Sequence, residues 1–195
     1  MENTKLPYYI FLDIDGTLWD LDFGNHVHGP YLPYQPEPRL KPESVSALNL
    51  LLSSLEDKFD TSLVITSGRR GNLAKCTEYL HRDGLEYNKP IYCTKFVSEG
   101  SRGSKIVDYL QQENQGPFVY PTLNSVAQKL LFGLKNSDYS NYVVLEDERK
   151  KISKEIPSAR CIITNKKHRS LTTAQVEKYL LQNGIAFEKT EEKSF

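Results

Sequence analysis

Cysteine is scarce in this 195-residue chain: Cys76, Cys93 and Cys161 form no Cys-x-x-Cys pair. Their odd number does not suggest a disulfide framework, and a reducing, cytoplasmic setting fits best. An excess of either charge is also missing, since 25 Lys and Arg meet 25 Asp and Glu. The chain as a whole therefore has no electrostatic pull toward nucleic acid or an anionic membrane, although a local basic patch is still allowed. No apolar run is long enough to cross a bilayer. Met1 to Pro7 are too polar for a signal-peptide core, so the expectation is a chain without a secretory leader. Internal repeats are absent. What is left is an ordinary globular composition, 38% hydrophobic and 26% charged. The length suits one full core better than two. Residues 1–187 are expected to form a single domain, with 188–195 a charged tail that frays.

Five short apolar runs read as buried strands: Tyr8 to Leu12, Ser62 to Ile65, Ile91 to Cys93, Tyr142 to Leu145 and Cys161 to Ile163. Helical spacing fills the intervals. Val45, Leu48, Leu51, Leu52 and Leu55 share one face, with Pro42 suited to the helix start. Leu123, Val126, Ala127, Leu130 and Leu131 share another. Thr172 and Gln175 have the spacing of a capping box, opening a last helix that ends near Gly184. Strands alternating with helices predict an α/β fold, a parallel sheet covered on both faces. Ligands of such sheets bind beyond the carboxyl ends of the strands. One region departs from the alternation: residues 20–42 hold five of the ten prolines and read as an extended loop at the rim of that end.

Chemistry-bearing residues stand at those strand ends. After the first strand come Asp13 and Asp15, with Gly16 to turn the chain and Thr17 to offer a hydroxyl. In extended backbone the spacing sends both carboxylates to one side, where they repel unless a cation joins them; oxygen ligands suit Mg²⁺. An Asp-rich turn is the plainer alternative, weakened here by the apolar strand before and the Asp-Gly-Thr sequence after. Thr66, Ser67, Gly68 and Arg69 follow the second strand, a hydroxyl and backbone N–H groups fit for a phosphoryl oxygen or simply for a helix cap. Arg102 and Lys105 lie near the start of a helix between the third and fourth strands and compete for the role of neutralising cation. Glu146 and Asp147 follow the fourth strand and could complete a carboxylate site for Mg²⁺. Each station alone has a bland reading. Four in agreement point to one site.

Asp13-x-Asp15-Gly16-Thr17, the Thr66/Ser67 hydroxyl, Lys105 and Glu146-Asp147 resemble, in order, the four motifs of the haloacid dehalogenase superfamily. The resemblance covers residues 8 to about 165. Within it the chain looks most like the magnesium-dependent phosphatase 1 group, through Asp13 to Trp19, His26-Val27-His28, Gly103 to Ile106 and Asp147 to Lys150. It is also similar to phosphatase-like domains attached to some RNA-repair proteins. The resemblance implies a Rossmann-like fold with a minimal (C0-type) cap and Mg²⁺ as cofactor. It implies that Asp13 attacks phosphorus and becomes an aspartyl-phosphate, and that Asp15 protonates the leaving oxygen and then activates water. Ser67, or Thr66, would hold a phosphoryl oxygen, with Ser67 the favoured one. Lys105 would balance charge. Asp147 would hold the metal with Glu146 in support, together with Asp13 and Asp15. The group tends to have Asp where Glu146 stands, and a bulkier residue where Gly16 stands.

Too little chain separates Ser67 from the third strand for a large cap, so the site is expected to be open to a phosphate carried on a macromolecule. The subgroup resemblance implies protein-tyrosine phosphatase activity. Trp19, Tyr31 and Tyr34 could wall the ring, or could pack the loop onto the body; Gly68, Arg69 and Arg102 would line the phosphate side. His26 and His28 are equally open between the two kinds of role. Cys76 and Arg82 have Cys-x5-Arg spacing, but the residues between them lack phosphate-cradling glycines and read as helix. A metabolite or nucleotide phosphatase would share the catalytic set. A polynucleotide-end phosphatase would want a basic groove, for which Arg69, Arg70, Lys75, Arg102 and Lys166 to Arg169 are candidates. A non-catalytic binding module is the third alternative. The acidic tail could carry a recognition or secretion signal, so delivery into another cell stays open.

Overall fold

The computed structural model describes residues 5–19, 39–95, 100–113, 141–152, 154–164 and 170–187. Its strands are β1 (Leu6–Leu12), β2 (Phe59–Ile65), β3 (Ile91–Cys93), β4 (Tyr142–Glu146) and β5 (Cys161–Ile163). They form one sheet in the order β3-β2-β1-β4-β5, and every pairing is parallel. All five expected strands are present, but β3 is not the buried strand expected: it lies at the sheet edge, with Tyr92 exposed. β1 and β2 start earlier than their apolar runs because Leu6 pairs with Phe59 and the ladder continues from there. Leu6, Pro7 and Asp60 are exposed there, whereas Phe59 packs half-buried on the core and Thr61 is buried, so hydrogen bonding and packing together extend the strands.

Helices cover both faces. Side chains alternate along a strand, and β1 divides its residues accordingly. Tyr8, Ile10 and Leu12 join one core with α1 (Pro42–Glu56), α2 (Leu73–Arg82) and α4 (Thr173–Gln182). Phe11 joins the other with Ile106, Val107 and Leu110 of α3 (Arg102–Glu113). In α1 a proline occupies the first turn, where its missing N–H costs nothing. At α4 the reciprocal Thr172–Gln175 capping box forms as expected, and the chain leaves at Gly184 with φ +65°. Cys76 and Arg82 both lie in α2, which removes the phosphate-loop reading of their spacing.

Burying one leucine of α1 contributes roughly 2 kcal/mol, whereas buried ion pairs are about neutral after desolvation. The two apolar cores therefore hold the fold, and the charged groups at the strand ends are a cost the cores carry. Among the described residues no helix is long and apolar enough to cross a membrane. The expected helix over 123–131, the tail at 188–195, His26, His28, Tyr31, Tyr34 and the Lys166–Arg169 run lie outside the described residues.

Strand order decides where the site falls. The chain passes outward from β1 through β2 to β3, then returns to the other side of β1 for β4 and β5. The order thus reverses between β1 and β4, and crevices at such reversals are where ligands bind in open parallel sheets.

Candidate functional site

The register sets one row of side chains across the carboxyl rim. Leu12 pairs with Ile65 and Leu145, and Ile65 with Cys93. The ladder runs one residue further, with N–H donated from Asp13 to Leu145 (2.9 Å), Thr66 to Leu12 (2.8 Å) and Thr94 to Ile65 (3.1 Å). Thr94, Thr66, Asp13 and Glu146 thus stand side by side at successive strand ends, all buried. Phe11, Val64 and Val144, two positions back in β1, β2 and β4, belong to the α3 core. By alternation Asp13, Thr66 and Glu146 fall on the α3 face.

Arg102, the first residue of α3, covers this row. Its Nη1 lies 2.6 Å from Asp13 Oδ2 and also pairs with Glu146 Oε2. The Asp13 contact is an ion pair and not an aligned hydrogen bond, for Oδ2 accepts none among the described residues. Asp13 Oδ1 takes the N–H of Ile14 at 3.1 Å. Ligand oxygens of Asp13, Glu146 and Asp147 come within 4.8 Å of one another. Lys151 closes the far side, 2.7 Å from Asp147 Oδ1 and 3.5 Å from Glu146 Oε1. Glu146 Oε1 also accepts the N–H groups of Asp147 and Glu148.

Asp15 stands outside that carboxylate group. β1 ends at Leu12, and the chain then coils, Leu18 donating to Ile14 O at 2.9 Å and Gly16 to Trp19 O at 3.0 Å. Extended alternation therefore stops, and the Asp15 carboxylate accepts from Ser67 Oγ at 3.2 Å. Gly16, at φ +77°, lies against Asp147: a Cβ there would come within 2.7 Å of that side chain. Thr164, just past β5, donates to Gly16 O at 2.8 Å and pins the turn.

The remaining candidates are spread around this centre. Ser67 is buried, and Gly68 and Arg69 open a 3-10 turn over Gly68–Asn72, the Arg69 side chain lying outside the described set. Lys105 sits one turn along α3 from Arg102. Its pKa is lowered by burial and by the neighbouring charges of Arg70 and Arg102. Trp19 packs partly against the α1 core. Lys151 and Thr164 escaped the sequence reading, and Arg70 entered it only as a candidate for a basic groove. Arg70 Nη1 donates to the backbone carbonyls of Thr66 (3.0 Å) and Ser67 (2.8 Å), yet nothing in the sequence separates it from Arg69. Lys151 follows Asp147 by four residues, a spacing that could have suggested the pair. Thr164 could have been found by inspecting the fifth strand end as the first four were.

Burial raises the Asp13 pKa against the pull of Arg102. Glu146 is pushed up to about 8 from an ordinary 4.5 by burial, by its hydrogen bond to Asp147 and by the charge of Asp13, against Arg102 and Lys151. Burial also opposes ionisation of Asp147, but hydrogen bonds with Glu146 and Lys151 outweigh it and lower that pKa. Folded Glu146 thus holds its proton more tightly than the unfolded chain does. Its contribution to stability is fully present below pH 4.5 and is lost as pH rises through about 8. With a chelator present, denaturant midpoints should fall across that window, and Glu146→Gln should flatten the fall. An unchanged slope in the variant would locate the effect elsewhere.

The fold and site thus define an α/β protein with a buried acidic cluster and two cations at the reversal of a parallel sheet. No family model, curated protein or solved structure matches the chain.

Proposed function

We propose that this protein is a Mg²⁺-dependent phosphomonoester hydrolase of the haloacid dehalogenase type, with a Rossmann-like sheet, a minimal cap and Asp13 as nucleophile. One observation carries the reading: buried Asp13 meets Glu146, Asp147 and Arg102 at the strand-order reversal. A hard divalent cation fits the residues present. The three carboxylates offer only oxygen donors, and one oxygen of each lies within 4.8 Å of the others. Asp13, Asp147 and Glu146 would hold the ion, with the Asp15 segment beside it. When bound, Mg²⁺ supplies charge neutralisation for a phosphoryl group next to a carboxylate nucleophile.

The protein's own groups would divide the work as follows. Asp13 Oδ attacks phosphorus and forms an aspartyl-phosphate, while Asp15 passes a proton to the departing oxygen. Asp15 then takes a proton from water, whose oxygen attacks phosphorus, breaks the bond to Asp13 Oδ and departs within inorganic phosphate, regenerating the Asp13 carboxylate. Ser67 aims Asp15 for both steps through its 3.2 Å hydrogen bond. Arg102, already on Asp13, supplies the fixed positive charge nearest the reacting atoms, and Lys105 adds a second beside it. Thr66 neighbours Asp13 in the row, and its Oγ1 is buried without a hydrogen-bond partner among the described residues. That favours Thr66 over Ser67 as the group holding a phosphoryl oxygen.

The proposed substrate class is phosphotyrosine in protein, reached through an open site. Between β2 and β3 the chain makes only the 3-10 turn and α2, which leaves that side without a cap. The test is phosphate release from phosphotyrosine, phosphoserine and phosphothreonine peptides, nucleotides, sugar phosphates and 3′-phosphorylated oligonucleotides, with Mg²⁺ and with EDTA. Mg²⁺-dependent preference for phosphotyrosine peptides is expected. Preference for another member would replace the substrate class and keep the chemistry, and inertness toward all would sink the enzyme reading. Thr66→Val should lower kcat/KM about 10- to 100-fold without loss of stability, since it removes an unsatisfied buried hydroxyl. A larger loss in Ser67→Ala would return the phosphoryl role to Ser67.

A further inference from the structure

We propose that Lys151 is a built-in counter-cation of the candidate metal site, and that its ammonium must leave Asp147 before a divalent cation can take that carboxylate. The proposal rests on the metal-dependent reading above. Its basis is geometric. Asp147 Oδ2 lies against Gly16, so closely that a Cβ on Gly16 would come within 2.7 Å of it. The other oxygen, Oδ1, is held by Lys151 Nζ at 2.7 Å, and the same ammonium reaches Glu146 Oε1 at 3.5 Å.

Arg102 and Lys151 are the two cations paired with these carboxylates. Of the two cations Lys151 is the one able to go. Its side chain is 32% exposed, it ends a short 3-10 turn (Arg149–Lys151), and its flexible stem can carry the ammonium into water. Arg102 is 19% exposed and pairs with two buried carboxylates at once, so its departure would strand both.

Lys151 would then keep the carboxylates together in the metal-free protein and weaken apparent metal affinity by the fraction of time it occupies Oδ1. The expected size is about fivefold, that of a partly exposed ion pair. The experiment measures Mn²⁺ binding to the metal-free full chain, reading free Mn²⁺ by electron paramagnetic resonance. Lys151→Met should bind about fivefold more tightly than the parent. Lys151→Arg, which keeps a cation, should stay near it. Lys150→Met is the control for general charge, because Lys150 is exposed and pairs with Glu148 instead; it should change affinity less than twofold. Equal or weaker binding by Lys151→Met, or an equal gain in Lys150→Met, overturns the proposal and leaves the metal-dependent reading standing. No Mn²⁺ binding at millimolar concentration by the parent or by Lys151→Met would remove that reading and the proposal together.

Discussion

Asp13→Asn is expected to reduce phosphate release by more than about 10⁴-fold, the scale on which enzymes lose rate when a nucleophile is deleted, while the protein stays folded. Asparagine has nearly the volume of aspartate, and its Oδ1 can still accept the N–H of Ile14. It cannot form the acyl phosphate. Arg102 loses one partner but keeps Glu146, so no buried cation is stranded. Burial already works against ionisation of Asp13, and a neutral side chain escapes that penalty. The melting temperature should therefore stay within a few degrees of the parent. Phosphate release and thermal melts on the same preparation check both halves. Full activity in the variant would refute the aspartyl-phosphate mechanism; a collapsed melt would show that Asp13 holds the rim together.

Gly16→Ala should have the largest effect on the fold and disable the site at the same time. Two costs add. A residue with a Cβ at φ +77° carries about 1 kcal/mol of backbone strain. The new Cβ would also sit 2.7 Å from Asp147 Cβ and Oδ2, an overlap that packed sites relieve at about 1–3 kcal/mol. A loss of about 2–4 kcal/mol corresponds to a drop of roughly 4–16 °C in Tm for a chain of this length. Relief must push the β1 turn away from Asp147, separating the proposed metal ligand from Asp13, so Mn²⁺ affinity should fall with stability. Gly184→Ala separates the two costs. Gly184 has φ +65°, but a Cβ added to it would meet nothing within 4 Å among the described residues, so only the strain should be felt. Equal melting temperatures for the two variants would show that the approach of Gly16 to Asp147 is unimportant.

Much of this was legible in one dimension. β1, β2 and β4 were visible because their buried residues form a short apolar run, and Thr172 with Gln175 announced the start of α4. Asp13, Glu146 and Asp147 were marked by following such runs directly. The site was less legible where two neighbours carry the same chemistry. Arg102 and Lys105 are both cations on one face of the first turn of α3, and only their height along the helix, with Arg102 at its N-terminal end, puts Arg102 on Asp13. Thr66 and Ser67 are both hydroxyls, and the strand's alternation sends the first to the nucleophile's row while Ser67 reaches Asp15. Asp15 itself left the carboxylate group because the chain coils after Leu12, ending the alternation on which the expectation rested.

Local pattern by itself marked the strand runs, the apolar face and proline start of α1, the Thr172–Gln175 cap of α4, and Asp13, Thr66, Glu146 and Asp147 at strand ends, because each depends on a few neighbouring side chains. Tertiary structure alone decided that β4 lies beside β1, that Glu146 and Asp147 therefore meet Asp13, and that Arg102 and Lys151 close the cluster from opposite sides. Those contacts join residues far apart in sequence, such as Arg102 and Glu146, which stand 44 positions from each other. Parallel order and register come from burying both faces of the whole sheet at once, and no local run of residues carries that information.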